Sequence, residues 1–306
     1  MSTRLAELAT FRGVTAWGAL AAAVAMSAGI PLPEAVSAVQ WRHGRAVALA
    51  GAPGSPVLVV LAPEREARRI EVKPATAGAR RAEVIDFTAD EEGTIYALVF
   101  ESVPLGRDRR LLCRFGGQGG ESCEELGERR CRRLAVAEPE AAWCYGEGPA
   151  GMLLHRVAGQ PQGPRFWLPA EGVLRAAGAS RAAWLDSPAP GRLWVVLPEA
   201  GLLVDVRLAD GETRMAELPE KDRLTGAASF ALMGERLLAL LPLAPAPGRE
   251  RLDARYGLFE LRGEWRRIAA DRQWLRGARL AGAGGGAAWV WNRQERRLER
   301  AALPPR

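Results

Sequence analysis

Short apolar bursts, each led in by a glycine or a charged pair, recur along the chain: GRAVALA at Gly44, GTIYALVF at Gly93, EAAWCYG at Glu140, GRLWVVLP at Gly191, ERLLALLP at Glu235 and GAAWVWN at Gly286. Their spacings of 49, 47, 51, 44 and 51 residues are regular enough to mark a repeated unit. Upstream of each burst, across a turn, sits a second apolar segment: AVSAV from Ala35, EVIDF from Glu83, RLAVA from Arg133, RAAWL from Arg181, ASFAL from Ala228 and ARLAG from Ala278. Downstream come segments that alternate with a period of two, including RRLLCRF from Arg109, GMLLHRV from Gly151, GLLVDVRL from Gly201, GLFELRG from Gly257 and RRLERAAL from Arg296. A short closing strand follows in RRIEVKP from Arg68, PRFWLP from Pro164, RMAELP from Arg214 and EWRRIA from Glu264. The pattern predicts four strands per unit and six units.

Small and apolar residues crowd the first two strands of each unit, whereas Arg and Glu enter the third and fourth. Strands sandwiched between neighbouring sheets on both faces read as continuous apolar runs, while strands with one wet face alternate. The gradient therefore predicts an all-β, six-bladed β-propeller over residues 34–306 rather than a sandwich, whose strands would alternate from the start. The segment 87–102, FTADEEGTIYALVFES, resembles the acid-glycine-aromatic hairpin of NHL-type and TolB-like six-bladed propellers. Similarly, 204–215, VDVRLADGETRM, is similar to the outer hairpin of quinoprotein-like propeller repeats. The resemblance is architectural and extends over residues 35–303. The last unit ends soon after its third strand, so closure of the ring calls for an N-terminal partner strand, expected near Ala35 to Trp41.

Residues 1–33 have a different character. After Arg4 and Arg12 comes an uncharged run over 13–33, bounded by Glu34, whose apolar heart includes Val14, Trp17, Leu20, Val24, Met26 and Ile30. As a helix the stretch from Val14 to Ile30 would be roughly 25 Å long, the length of a signal peptide or a short anchor. A basic leader keeps the N-terminus in the cytoplasm. The expected location is thus the bacterial cytoplasmic membrane, single-pass, with the propeller in the periplasm. Removal of the leader is the alternative: Val36 and Ala38 have the small-residue spacing of a processing site, and cutting there would release a chain beginning at Val39.

The net charge of +6 raises a nucleic-acid reading, but only Lys73 and Lys221 are lysines, and the arginines are dispersed among 36 acids. Runs such as 64–69 and 295–300 alternate in sign, which describes a solvated mixed-charge surface; no nucleic-acid partner is expected. Cys113, Cys123, Cys131 and Cys144 form an even set in a chain addressed to an oxidising compartment, and they lack the paired C-x-x-C spacing usual for zinc. Cys113 and Cys123 are equidistant from Gln118 in GGQGG, so a hairpin turning there sets them opposite each other and leaves Cys131 for Cys144.

Candidate chemistry is sparse. The chain has two histidines, His43 and His155, at non-equivalent points of different units, and a single asparagine, Asn292. Glu83, Asp86 and Asp186 are the best inner-strand carboxylates, each read first as a turn cap; no catalytic residue, metal ligand or cofactor is assigned. Trp143, Trp184, Trp194, Trp289 and Trp291 are expected between blades. Trp41, Trp265 and Trp274 lie among charged neighbours and, with Arg249 and Arg251 in the proline-rich segment 241–253, are the candidate partner-binding residues. These features favour a non-enzymatic, membrane-anchored scaffold or accessory subunit of a membrane or envelope protein complex. The competing reading is an exported enzyme or small-molecule binder of lactonase, lyase or quinoprotein type, with its site on the propeller axis.

Overall fold

In the computed structural model the described residues are 29–305, apart from 34, 63–65, 105, 117–119, 128–129, 139–140, 149–150, 158–164, 168–183, 225–228, 244–254, 270 and 276. They form six antiparallel sheets. The first comprises Ala38–Arg42, Arg45–Ala52, Ser55–Leu61 and Arg68–Glu71. The second comprises Arg81–Ala89, Ile95–Ser102, Arg109–Phe115 and Ser122–Glu125, and the third Arg130–Glu138, Ala141–Gly148, Gly151–Arg156 and Arg165–Trp167. Trp184–Asp186, Arg192–Leu197, Leu202–Arg207 and Thr213–Glu217 make the fourth. Ser229–Met233, Arg236–Pro242, Arg255–Arg262 and Glu264–Arg267 make the fifth, where Trp274–Leu275 also pairs with Arg255–Arg262. The sixth contains Arg279–Gly284, Ala287–Asn292 and Arg297–Ala302.

Each sheet packs on the next, and the sixth packs on the first, so the order is cyclic and the fold is a β-propeller. One apolar cluster fills each interface. Trp143, Tyr145 and Leu154 meet Leu193 and Val204 between the third and fourth sheets, and Leu58 and Ile70 meet Phe87 and Ile95 between the first and second. The sequence gradient has its physical counterpart here. Second strands such as Ile95–Ser102, Arg236–Pro242 and Ala287–Asn292 are buried almost throughout, whereas the outermost Ser122–Glu125 and Thr213–Glu217 are almost wholly exposed.

Ring closure departs from expectation. The outermost strand of the sixth sheet is Ile30–Pro31, paired antiparallel with Ile30 opposite Leu298 and Pro31 opposite Arg297. Leu32 N–H then donates to the Arg296 carbonyl at 2.9 Å, and the Leu32 side chain is buried beside Trp41, Trp291 and Leu298. Ala38–Arg42, within the segment expected to close the ring, is instead the innermost strand of the first sheet. Pro31 suits the outer edge, where no further strand asks for the N–H it lacks. Ile30 therefore belongs to the propeller and not to a membrane-spanning segment. Val14, Trp17, Leu20, Val24 and Met26 lie outside the described residues, among which no helix is long and apolar enough to cross a membrane.

Both disulfides form. Cys113 and Cys123 face each other in register across the outer two strands of the second sheet, with Cα atoms 4.0 Å apart. Cys131 and Cys144 link the inner two strands of the third at 5.6 Å. Each closes a short loop, a constraint worth about 2–3 kcal/mol in the chain-entropy description.

Candidate functional site at the hub

Described residues at the hairpin end of the first two strands of each of the six sheets converge on one end of the axis. Together they enclose a cavity of about 1040 Å³. Two of these turns show why the sequence folds as it does. His43 and Gly44 both take positive φ, 46° and 77°, as a two-residue hairpin loop requires. In ADEEGTIY, the Asp90 carboxylate accepts the N–H groups of Gly93 and Thr94, both at 2.8 Å, and the Tyr96 hydroxyl at 3.4 Å. Burial first, and then the Asp90 charge, push the Tyr96 hydroxyl up to about 12. The acid-glycine-aromatic hairpin is thus a turn-building device in this chain.

The floor of the cavity is a charge pair across the axis. Arg42, at the end of the innermost strand of the first sheet, reaches Asp186 at the end of the innermost strand of the fourth. Nη1 lies 2.5 Å from Oδ2, and the side chains are 17% and 8% exposed. Asp186 also accepts the Ser187 N–H at 2.9 Å, so it caps its turn as well as pairing. One strand step deeper, Asp86 links three sheets: its Oδ1 accepts Gln40 Nε2 at 3.5 Å and its Oδ2 accepts the Leu134 N–H at 2.8 Å. Burial raises the Asp86 carboxyl to about 6, opposed by the Arg133 charge and the backbone hydrogen bonds. His43 is lowered from its ordinary value, chiefly by burial, with Glu91 acting the other way.

The Asp86 shift has a definite sign. Folding favours the protonated form, so its contribution to stability is complete below pH 4 and is lost as the pH rises through about 6. The distance between 3.8 and about 6 corresponds to roughly 3 kcal/mol at most. Asp86→Asn is expected to match wild type in urea unfolding near pH 4 and to exceed it by about 1–3 kcal/mol at pH 7. A stability difference independent of pH would contradict this assignment.

Several candidate residues lie elsewhere than expected. Trp41, Trp265 and Trp274 are not surface anchors: they are 4%, 6% and 3% exposed. Trp41 stacks on Trp289, with ring centroids 3.9 Å apart, where the first and sixth sheets meet. Trp265 donates from Nε1 to the Pro219 carbonyl at 3.0 Å, and Trp274 to Glu299 Oε2 at 2.9 Å. The glycine run before Trp289 explains part of this packing, because a Cβ on Gly282 would stand 2.2 Å from the Trp41 carbonyl oxygen. Trp143, Trp289 and Trp291 are buried between sheets, and Trp184 and Trp194 pack half-buried on the cluster between the fourth and fifth. Glu83 is exposed. Arg249 and Arg251 lie outside the described residues. Among those described, no group of three His, Cys, Asp or Glu side chains is arranged to hold a metal.

Sequence reasoning missed Arg42, Glu91, Glu92, Glu138 and Arg300, which also line the cavity. A usable signal was present: WRHG, DEEG and AEPE occupy the same phase of the repeat, just ahead of the apolar burst.

No family model and no curated protein matches the chain. Among solved structures, it is similar to a chain in the crystal structure of the mitotic checkpoint complex, with 6% identity, 92% of this chain and 94% of that one covered, and a TM-score of 0.47. It is similar also to the β-propeller domain of Cps50 (Swd1) from Myceliophteria thermophila, with 8% identity, 90% and 99% covered, and a TM-score of 0.45. A chain from a study of two prolyl endopeptidases shares 14% identity over 99% of this chain but 54% of that one, with a TM-score of 0.47. The propeller assignment itself rests on the sheet order and the cyclic packing.

Proposed function

We propose that the protein is a non-catalytic propeller scaffold, tethered to the bacterial cytoplasmic membrane by the apolar residues before Gly29 and working in the periplasm as an accessory subunit of a membrane or envelope protein complex. The observation that carries this reading is the hub floor. Its carboxylate, the buried Asp186, is already neutralised by Arg42 from the opposite side of the ring, which rigidifies the axis and withdraws both groups from chemistry. The tether has support in ring closure. Ile30 follows the apolar run with no spacer and is hydrogen-bonded into the sixth sheet, so whatever holds that run holds the ring.

The test is purification of the tagged full chain from its native cells in mild detergent. Stoichiometric protein partners and recovery from the membrane fraction are expected. A lone monomer in the soluble fraction would overturn the proposal.

A second reading, a small-molecule site on the axis, is favoured by one feature: the cavity gathers Arg42, Asp90, Glu138, Asp186 and Arg300 from five different sheets. It predicts a ligand that co-purifies with the chain in the absence of any protein partner.

A further inference from the structure

The two disulfides lie in opposite surroundings. Cys131 and Cys144 are 1% and 0% exposed and sit in the apolar core between the second and third sheets, with Tyr96, Leu98 and Leu134. A thiol meets that bond only after the core has opened. Cys113 is equally buried, at 1%, but its partner Cys123 is exposed, as is every other residue of the strand Ser122–Glu125. Access of an attacking thiolate to one sulfur governs exchange, and exposed disulfides are the labile ones.

The bond is also a main fastening of the strand that carries Cys123. Ser122–Glu125 buries no apolar side chain, so its pairing with Leu111–Arg114 is backed by backbone hydrogen bonds and by one solvent-exposed ion pair, Arg109 to Glu125 at 3.0 Å. Exposed pairs of that kind contribute little. One residue further on the chain is anchored: Leu126 is 3% exposed in the core shared with Cys131 and Cys144, and its N–H donates to the Arg110 carbonyl at 2.8 Å. The strand is thus pinned behind at Leu126 and held in front by the disulfide.

We propose that Cys113–Cys123 is a thiol–disulfide exchange site for a partner's dithiol, and that its reduction releases Ser122–Glu125 while the ring stays closed. The partner's thiolate attacks Cys123 Sγ: the Cys113–Cys123 bond breaks, a mixed disulfide forms on Cys123, and Cys113 leaves as a thiolate and takes up a proton. The partner's second thiol, giving up its proton, then attacks the partner sulfur of the mixed disulfide, and Cys123 leaves and is protonated in turn. Both cysteines are reduced and the partner's dithiol is oxidised to a disulfide. A monothiol stops at the mixed disulfide, from which Cys113, directly opposite in the register, returns to Cys123 and expels it. The inference stands apart from the scaffold reading, since it concerns the outer rim of the second sheet whatever the ring docks to.

The probe is dithiothreitol, applied to the folded full chain in detergent without denaturant, followed by N-ethylmaleimide and peptide mapping. Cys113 and Cys123 should become labelled together, about tenfold or more faster than Cys131 and Cys144. Reduced glutathione, a monothiol, should open the same pair about tenfold more slowly at equal thiol concentration. Hydrogen exchange of the amides of Ser122–Glu125 should rise about tenfold or more in the reduced protein and fall again on reoxidation, with Ala141–Gly148 protected throughout. The double variant Cys113→Ser, Cys123→Ser should show the raised exchange without reductant; the measurement on the reduced protein stands whether or not that variant folds. Equal reduction rates for the two disulfides, resistance of Cys113–Cys123 to dithiothreitol, unchanged exchange over Ser122–Glu125, or loss of protection in Ala141–Gly148 would each overturn the inference. Glutathione acting as fast as dithiothreitol would overturn its dithiol component.

Discussion

Glu260→Ala is expected to lower the unfolding free energy by about 3–5 kcal/mol, the cost of leaving a buried charge without its partner. Glu260 and Arg236 are 3% and 6% exposed, on adjacent strands of the fifth sheet. Arg236 Nε reaches Oε1 at 2.8 Å and Nη2 reaches Oε2 at 3.0 Å, a two-pronged pairing. Arg262 adds a contact to Oε2 at 3.1 Å, and Arg236 Nη1 touches the Pro304 carbonyl at 3.5 Å, bringing the C-terminal residues into the network. Burial alone would raise the Glu260 carboxyl, but hydrogen bonds from Arg236 and Arg262 prevail and hold it below its ordinary 4.5. The stability it contributes is therefore present at neutral pH and is lost as the pH falls below that value. Urea unfolding at pH 7 measures the effect, and a loss under about 1 kcal/mol would show the pair to be dispensable. Replacing both partners together by Arg236→Met and Glu260→Leu should recover most of the loss, because no orphan charge remains.

The second large effect concerns ring closure. A chain beginning at Val39, the product of cutting after Ala38, loses Ile30–Pro31 and Leu32 and uncovers Leu298 and Trp291. Burial of Leu32 is worth about 2 kcal/mol and that of the half-buried Ile30 about 1. With the hydrogen bonds of the lost strand, each worth about 1 kcal/mol, the expected destabilisation is about 3–6 kcal/mol. A chain beginning at Gly29 retains these contacts and should melt at the temperature of a chain that carries the leader. Thermal unfolding of the two truncations decides the matter: equal melting temperatures would mean that the closing strand contributes nothing. The expected loss also bears on processing, since a cut after Ala38 would discard the strand that closes the ring.

The strand pattern was legible because a repeat reports the same physical environment again and again. Each apolar burst fell on the second strand of a sheet, where both faces are covered, and its upstream neighbour overlapped the innermost strand, although of AVSAV only Ala38 and Val39 lie in that strand and 181–183 of RAAWL fall outside the described residues. Ile30 and Leu32 escaped because they end an uncharged run, and a short apolar stretch has no period by which a helix can be told from a strand. Trp265 escaped for the opposite reason. Its neighbours Glu264 and Arg266 are charged, but in a strand successive side chains point to opposite faces, so exposed charges on either side accompany a buried tryptophan. The Arg42–Asp186 pair left no local trace at all: 144 residues separate its members, and only the curvature of the whole ring brings them together.

The pairing of Ile30 with Leu298 also bears on how the molecule is made. A ribosome delivers Ile30 long before Leu298, so the closing strand stays single while the residues between them are made and the sheets that follow it can assemble from nearby sequence. The final step is a long-range zippering between early and late segments, the kind of contact that folds slowly and exposes an unpaired β-edge while it waits. Among the described sheets the sixth takes its outer strand from far upstream, so its edge is covered only when the two ends of the ring meet.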